Sequence, residues 1–522
     1  MNNNLFNIDS ILSQREIAEE IKHTIINEEL LHSGILQRLH TLYPEHSAII
    51  RNDKQIFKGK ERYAGLNGFR QIVEQLNENG INIGHTEERE LFIEVYRFLA
   101  TKHVLNLINW DKYETDSLFQ LVFPQPGMIN QETVNAYINA KDDQERNRIV
   151  KEYQLKTNPH DGKQKLNKPW FSDEACDVQV LEGSQHKYPP CQLIFDKTTQ
   201  NCFAFCNYCF RHAQVRGDED MFIQEDIQQI HNYLKRHKEV TDILITGGDA
   251  GFLTYERLEQ YALPLIENED FIHIRTLRLG SRALTFLPEL ILSDKFVNHL
   301  KFFKKLKRNG VQVLWVAHFS TPRELLNPLT IAAINRLKSF EVNIKSQSPI
   351  MKHISLFVDK HGNYDIDKSA QNWIDLGNIF ATLGIGFHSM YCARPTGEYH
   401  YFSAPLYIIE KVFNKVYKTL SSINRPSRYI TQTSSAGKIS MLGTTEINGE
   451  KVFVLKFNEG RNMDWMDTVY LAEFDPLETS IANLKPFRAD KHFFENELLE
   501  IEKELEEKLL TALNNQSINI QK

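Results

Sequence analysis

Short apolar runs alternate with longer and more polar stretches through the middle of the chain. The runs occupy residues 192–198, 242–248, 274–280, 311–319, 342–348 and 384–392. Several are almost continuously apolar, which is typical of strands buried on both faces. The intervals are long enough for crossover helices, so the pattern predicts an α/β protein with parallel strands. Six βα units suggest a barrel or an open portion of one, with the chemistry at the C-terminal ends of the strands.

The regions on either side of these runs follow other patterns. Residues 1 to about 165 have helical periodicity, which predicts one helix at 88–107. Residues 156–190 contain four prolines and predict an irregular linking segment. Residues 491–510 predict an amphipathic helix, in which three Lys and seven Glu sum to a charge of −4.

The stretch after Pro405 predicts a helix, then a polar turn with the sequence SSAGK at 434–438 and two strands at 451–457 and 468–474. The chain therefore divides into four predicted regions. They are a helical N-terminal region (1–165), a barrel (166–405), a C-terminal α+β extension (406–480) and an acidic helical tail (481–522).

Composition narrows the class of protein only slightly. Of 522 residues, 41% are hydrophobic and 25% are charged, which is ordinary for a globular protein. Lys plus Arg is 61 and Asp plus Glu is 68, a net charge of −7 that gives no reason to expect nucleic acid or an anionic membrane as partner. Neither a secretory signal nor an apolar run near 18 residues is evident, so a cytoplasmic location is expected.

Three of the six cysteines are closely spaced. Cys202, Cys206 and Cys209 follow the first predicted barrel strand as CxxxCxxC. In a reducing compartment, clustered cysteines more often bind metal or react than form disulfides. A structural zinc needs a fourth ligand, which His212 could supply. A [4Fe-4S] cluster is the alternative, and three thiolates would leave one of its irons open.

The CxxxCxxC motif resembles the signature of the radical S-adenosylmethionine (SAM) superfamily. Gly247, Gly248 and Asp249, at the end of the second predicted strand, resemble its second motif. The resemblance implies a [4Fe-4S] cluster held by the three cysteines, whose open iron is chelated by SAM. An electron from the cluster would cleave SAM to methionine and a 5′-deoxyadenosyl radical. It also implies a (β/α)6 TIM-like radical SAM barrel.

Within that superfamily, the chain resembles the lysine 2,3-aminomutase family over about residues 100 to 475. The stretches that carry the resemblance occur in family order. They are KYP (187–189), CNYCFRH (206–212), LITGGDA (244–250), RLGSR (278–282), HFSTP (318–322), SQS (346–348), Cys392 with Gly397 and His400, and AGK (436–438). The family shifts an amino group between neighbouring carbons of an amino acid held on pyridoxal phosphate (PLP), a small-molecule substrate.

The resemblance assigns roles to individual residues. Lys438 matches the lysine that carries PLP, although SSAGK has fewer glycines than the family turn. Arg211 matches an arginine that binds the substrate carboxylate, for which its planar fork is suited. The remaining cofactor-binding residues are Ser281, His318 and Gln347 on the SAM side and Lys187 and Tyr188 near PLP. Cys191 stands where the family has a further arginine, and we interpret Cys176, Cys191 and Cys392 as structural thiols.

The substrate positions depart from those of the lysine-using enzymes. Two aspartates hold the distal ammonium there, but Ala393 and Thr431 occupy those positions here. A buried ammonium without a carboxylate partner is costly, so free lysine is an unexpected substrate. Arg394, beside the first position, could pair with a distal carboxylate, while uncharged, larger or peptide-borne amino acids remain open.

Two rival functions remain open at this stage. One is a radical SAM enzyme without PLP that performs another hydrogen abstraction. The other is a non-catalytic scaffold with zinc at the cysteines. Both enzyme hypotheses also require an external electron donor for the cluster. The family resemblance favours a homo-oligomer.

Overall fold

A computed structural model gives the fold. It describes residues 6–14, 16–52, 55–157, 165–172, 178–217 and 222–520. Cys176 lies outside the described residues, so its interpretation as a structural thiol stays a prediction.

One large mixed sheet dominates the described part of the chain. Its eleven strands, in chain order, are β1 (Ser184–Tyr188), β2 (Cys191–Phe195), β3 (Asp242–Thr246), β4 (Thr276–Gly280), β5 (Gln312–Ala317), β6 (Asn343–Ile350), β7 (Gly386–Cys392), β8 (Ile430–Thr433), β9 (Gly437–Ile447), β10 (Glu450–Gly460) and β11 (Val469–Glu473). They lie side by side in that same order. Three further two-stranded sheets pair Arg62–Ala64 with Leu99–Thr101, Trp170–Ser172 with Val178–Val180, and Phe357–Val358 with Tyr364–Asp365.

The six predicted parallel strands are β2 to β7, and each pairs in parallel with the next. Phe195 pairs with Thr246, and Gly280 pairs with Val316, so successive strands end at one edge of the sheet. The α/β class and the parallel order are as predicted, whereas the partial barrel itself stays a prediction. One contact indicates that the sheet is curved. The Lys187 ammonium on β1 donates to the Ser434 carbonyl after β8, although these two strands lie far apart in the strand order.

Helices cover the sheet and build the N-terminal region. Those before the sheet are Ile8–Ser13, Glu19–Asn27, Ser33–Leu42, Ser47–Arg51, Gly65–Glu78, Thr86–Val95, Lys102–Leu107, Ser117–Val122, Gln131–Ile138 and Asp143–Thr157. Those after β2 are His212–Arg216, Ile227–Arg236, Tyr255–Ala262, Pro264–Glu267, Ala283–Phe286, Glu289–Leu292, Val297–Arg308, Pro328–Ser339, Ile366–Leu383, Tyr399–Phe402, Leu406–Thr419 and Glu495–Ile520. Among the described residues, none is long and apolar enough to cross a membrane.

Two local predictions are wrong, and the bounds of a third differ. The single helix predicted at 88–107 is broken after Val95, because Leu99–Thr101 pairs with Arg62–Ala64 as a strand. The predicted irregular segment before residue 190 contains β1. The polar turn predicted at 434–438 is present between β8 and β9 but is two residues shorter, because β9 begins at Gly437. Each missed strand is short or gains its partner from a distant segment, which local periodicity cannot show.

The C-terminal helix is longer than predicted and packs on its own chain. It runs over Glu495–Ile520, and Glu497 accepts hydrogen bonds from the side chains of Asn462 and Trp465. Phe494 packs against Phe457 and Trp465. The first turn of this helix therefore packs against its own chain, as predicted.

The buried side chain of Arg336 links the N-terminal region to the rest of the protein. Its buried guanidinium donates to both carboxylate oxygens of Glu28, at 2.8 and 3.1 Å, and to the carbonyls of Ile291 and Ser293. We expect Arg336→Met to lower the free energy of unfolding in urea by about 2–3 kcal/mol, because hydrogen bonds of a charged group are lost inside the protein.

Arg308→Met is the matched control for this prediction. Arg308 pairs with Glu341 at 3.2 Å, but 64% of its side chain is exposed. An exposed pair contributes about 0–1 kcal/mol, so the control should change the urea midpoint little. Equal losses in the two variants would contradict the prediction.

Candidate active site

The cysteine loop lies directly after β2, and the N-terminal region holds it in place. The Phe205 amide donates to the Leu99 carbonyl at 2.8 Å, and the Asn207 amide donates to the Leu121 carbonyl at 2.9 Å. The Asn207 side chain also donates to the carbonyls of Gln120 and Phe123. The helical front of the chain therefore shapes the backbone that carries the three thiols.

The three thiols face a common space. Each is a free thiol with some solvent-accessible surface. Desolvation raises the pKa of Cys209 to about 12 and also raises the pKa values of Cys202 and Cys206. The negative charge of a neighbouring thiolate would add to the effect, since Cys209 and Cys206 both raise the pKa of Cys202, and Cys206 raises that of Cys209. Bound iron or zinc would remove that cost, because a coordinated thiol is deprotonated.

The separation of the thiols bears on which metal centre fits. Zinc binds thiolates at about 2.3 Å, which places tetrahedral ligands roughly 3.8 Å apart. Among the described residues, one group of three His, Cys, Asp or Glu ligands comes within 4.8 Å of one another, and it does not include these cysteines or His212. Among the described residues, the three cysteines and His212 therefore do not form such a close-set group, and a [4Fe-4S] cluster at this loop stays a prediction.

The glycines of the second motif fit tightly against the cysteine loop. Gly247 has φ +143°, a conformation that favours glycine, and a Cβ there would come within 2.7 Å of the Thr199 hydroxyl. A Cβ on Gly248 would lie 2.4 Å from the Asn201 carbonyl and 3.0 Å from the Cys202 sulfur. Glycine is therefore required for β3 to end this close to the thiols.

The Asp249 carboxylate is buried and already engaged. It accepts from the amides of Gly251 and Arg282, both at 2.8 Å. Burial raises its pKa to about 6, while the Ser281 hydroxyl and these amides oppose that shift. Ser281 also accepts from the Ala283 amide at 3.0 Å. In this structure both side chains order the loop after β4, and their contact with SAM stays a prediction.

Arg282, to which the sequence assigned no role, bridges the cysteine loop to the segment after β5. Arg282 donates to the Cys206 sulfur at 3.3 Å and to the Glu324 carboxylate at 2.5 Å. The Tyr208 hydroxyl lies 2.9 Å from Nε2 of His318. Burial lowers the pKa of His318 well below its ordinary value, so its imidazole is neutral. Gln347 accepts from the Tyr391 hydroxyl at 3.1 Å, farther along the same edge.

Arg211 and Arg394 converge on one aromatic ring. Their guanidinium carbons lie 4.9 and 4.4 Å from the centre of the Phe210 ring. Arg211 also donates to the Thr246 hydroxyl at 2.6 Å. Desolvation and, to a smaller extent, the charge of Arg394 together lower the pKa of Arg211 to about 10. Among the residues that the structure describes, neither guanidinium has a carboxylate within 4.0 Å.

Lys438, Lys187 and Tyr188 come together although about 250 residues separate them. The ammonium groups of Lys187 and Lys438 lie 5.6 and 5.8 Å from the centre of the Tyr188 ring. Lys438 Nζ donates to Glu459 at 2.7 Å across the β9–β10 pair. Burial lowers the pKa of Lys187 well below its ordinary value, and Arg461 and Arg394 add to that shift by repulsion. The Tyr188 hydroxyl is buried without a hydrogen-bond partner among the described residues.

Sequence reasoning missed Arg461, Glu459, Arg278 and Arg282. Arg461 follows β10 and donates to the Ser435 carbonyl at 2.9 Å, beside the AGK stretch. Arg278 donates to the Cys191 sulfur at 2.6 Å and pairs with Asp242 at 2.6 Å. The alternation of polar and apolar residues along β4 could have indicated that Arg278 faces away from the buried side chains of Leu277 and Leu279. No local signal marks Arg461 or Glu459, which reach the site only through the pairing of β9 and β10.

The two uncharged substrate positions are buried together. Ala393 and Thr431 are each 4% exposed. Gln432 donates to the Ala393 carbonyl, and Tyr391 pairs with Thr431 across β7 and β8. The Thr431 hydroxyl is buried without a hydrogen-bond partner among the described residues.

Comparison with known proteins agrees with this arrangement. An Aquifex aeolicus protein named as an L-lysine 2,3-aminomutase is 27% identical over 276 residues, 53% of this chain and 68% of its own. The L-lysine 2,3-aminomutase of Clostridium subterminale is 28% identical over 34% of this chain and 39% of its own. The glutamate 2,3-aminomutase of Clostridioides difficile is 27% identical over 35% of this chain and 42% of its own. The chain thus matches about two fifths of the length of the last two relatives.

Two other comparisons add less. No family model matches the chain. A radical SAM methyltransferase structure from Sphaerobacter thermophilus aligns with 70% of this chain and 94% of its own at 12% identity. Its TM-score of 0.31 is too low to establish a shared fold.

The chain is therefore similar to L-lysine and glutamate 2,3-aminomutases over about a third to a half of its length.

Proposed function

We propose that the protein is a PLP-dependent radical SAM aminomutase that moves an amino group between adjacent carbons of a dicarboxylic amino acid. One observation carries the substrate class: Arg211 and Arg394 are desolvated beside one ring and lack a carboxylate partner among the described residues. Such guanidinium groups are stabilised by bidentate carboxylates, and a dicarboxylic amino acid offers two of them.

The cysteine loop supports a [4Fe-4S] cluster. Its three thiols lie on one loop after β2, and among the described residues they do not belong to a close-set group of ligands for a single ion. Cys202, Cys206 and Cys209 would hold three irons, and SAM bound at the fourth would supply the radical. Gly247 and Gly248 allow the end of β3 to approach that position, and His318 presents a neutral imidazole at the end of β5.

The other side of the site supports PLP. A phosphate needs cationic groups, and the cations Arg461 and Arg394 repel Lys187, with Glu502 opposing part of that effect. The unpartnered hydroxyl of Tyr188 could donate to such a group. Lys438 would carry PLP, which when bound supplies electronic stabilisation to the amino acid. Glu459, at 2.7 Å from Lys438 Nζ, is positioned to hold the proton that the ammonium must lose.

The two sides are connected through the arginines. Arg211 lies two residues after Cys209, and Arg394 faces both Phe210 and Tyr188. In the proposed complex, Arg211 binds the α-carboxylate and Arg394 binds the distal carboxylate. The uncharged pair Ala393 and Thr431 leaves an ammonium group without a partner, which disfavours free lysine.

Cysteine variants test the cluster assignment. We expect Cys202→Ser, Cys206→Ser and Cys209→Ser each to lose the iron and sulfide of the anaerobically reconstituted protein, and to release 5′-deoxyadenosine only at background level. Cys191→Ser and Cys392→Ser are matched controls, since both thiols lie elsewhere, and should keep both properties. Zinc in place of iron at the three cysteines would instead support the scaffold alternative.

Lys438→Ala tests the PLP assignment. The variant should lose the visible absorbance of protein-bound PLP and retain cluster absorbance, because Lys438 lies on β9 and not on the cysteine loop. Lys451→Ala on the neighbouring strand β10 is the control, since its ammonium lies over Tyr407. PLP-free wild-type protein that still cleaves SAM would support the radical SAM alternative without PLP.

Arg394→Met tests the substrate class. Loss of a charged hydrogen-bonding partner costs about 1.5–3 kcal/mol, so kcat/KM for a dicarboxylic amino acid should fall roughly 10- to 150-fold. Turnover of the corresponding amide, which lacks the distal charge, should fall much less. Arg425→Met, whose guanidinium stacks on Tyr417, is the control. Turnover of lysine by the wild type in preference to dicarboxylic amino acids would contradict the proposal.

A further inference from the structure

A second group of metal-binding side chains lies outside the cysteine loop. One ligand atom each of His186, His237 and Glu239 comes within 4.8 Å of the others. His186 belongs to β1, whereas His237 and Glu239 follow the helix Ile227–Arg236 and precede β3. The amides of Thr241 and Asp242 both donate to the Pro190 carbonyl at 3.1 Å, which holds the two segments together.

The His186 imidazole has the environment of a metal ligand. Its Nε2 lies 3.0 Å from the Pro189 carbonyl, which can only accept, so this nitrogen carries the proton. Its Nδ1 is then the unprotonated nitrogen, and it accepts from the Tyr233 hydroxyl at 2.5 Å. Metal-binding histidines commonly donate their other ring N–H to a carbonyl in this way, which fixes the tautomer.

The other two ligands are ordered by their own contacts. The His237 ring stacks on Tyr233 with the ring centres 3.9 Å apart. Its Nδ1 lies 2.7 Å from Oε1 of Glu239. The stacked tyrosine limits how far the imidazole can rotate, and the exposed carboxylate leaves the site open to solvent.

We propose that His186, His237 and Glu239 form a site for a divalent transition metal of the zinc class, independent of the cluster and of the proposed reaction. Two imidazoles and one carboxylate are a recurrent zinc donor set, with water in the fourth position. The Tyr233 hydroxyl turns away from Nδ1 of His186 when the metal binds. Any proton on the coordinating nitrogens or carboxylate is released to solvent.

The site has a structural consequence. His186 contacts the helix that contains Tyr233, while the adjacent Lys187 contacts the Ser434 carbonyl. A metal at His186 would therefore restrain β1, the strand that also carries Lys187 and Tyr188. The metal acts as a clip between this edge strand and the segment before β3.

Zinc titration of untagged, cluster-reconstituted protein tests the proposal. The wild type should bind one Zn²⁺. The variants His237→Ala and Glu239→Gln should each bind zinc at least about tenfold more weakly, because even changes to residues around a metal ligand cost that much affinity. Cluster absorbance should be unchanged throughout. His361→Ala, in the exposed turn after Asp359, is the control and should bind as the wild type does.

A variant with Cys202, Cys206 and Cys209 all changed to alanine separates this site from the cluster. It should retain the zinc. The proposal is overturned if the wild type binds no zinc, if His237→Ala and Glu239→Gln bind it as tightly as the wild type, or if the bound zinc disappears with the three cysteines.

Discussion

Parallel pairing of consecutive strands is the constraint on which the site depends. From β2 to β7, each strand pairs with the next one along the chain, so their carboxyl ends meet at one edge. Residues that are far apart in sequence are thereby gathered: the thiols after β2, the glycines after β3, and His318 after β5. A shift of one residue in any register would turn the buried side chains of that strand to the other face and displace the functional residue at its end.

The close approach between β3 and the cysteine loop is a second consequence of that arrangement. Gly248 leaves 3.0 Å between an added Cβ and the Cys202 sulfur, so the strand end and the thiol are in near contact. The N-terminal region provides the rest of the support, because carbonyls of Leu99 and Leu121 accept the amides of the cysteine loop. The helical front, which the sequence alone left without a purpose, is thus part of the wall of the site.

Charge divides the site into two parts. Around the thiols, Arg282 donates to the Cys206 sulfur and pairs with the Glu324 carboxylate in a buried network. Farther along, Arg211, Arg394, Lys187 and Arg461 form a cationic group, opposed in part by Glu502. Such a group favours anionic ligands, and both a phosphate and a second substrate carboxylate would suit it.

Much of this arrangement was predictable from sequence, and the limits have physical causes. Continuous apolar runs predicted all six strands from β2 to β7, because burial on both faces imposes a strong local pattern. The motif spacings predicted that Cys202, Gly247 and Ser281 lie at neighbouring strand ends. The strand at Leu99–Thr101 was missed because its partner lies near residue 63, and a local window reads its apolar residues as helix. Arg461 and Glu459 were missed because only long-range hairpin pairing brings them to Lys438.

The central claim is that the cysteine loop and Lys438 serve one reaction on one amino acid. It is tested most directly with a dicarboxylic amino acid deuterated at its β-carbon, in a single turnover with SAM, PLP and reductant. With wild-type protein, deuterium from the amino acid should appear in 5′-deoxyadenosine or in the SAM that is re-formed from it and methionine. With Lys438→Ala it should appear in neither. Release of 5′-deoxyadenosine without deuterium, or equal transfer in the variant, would contradict it.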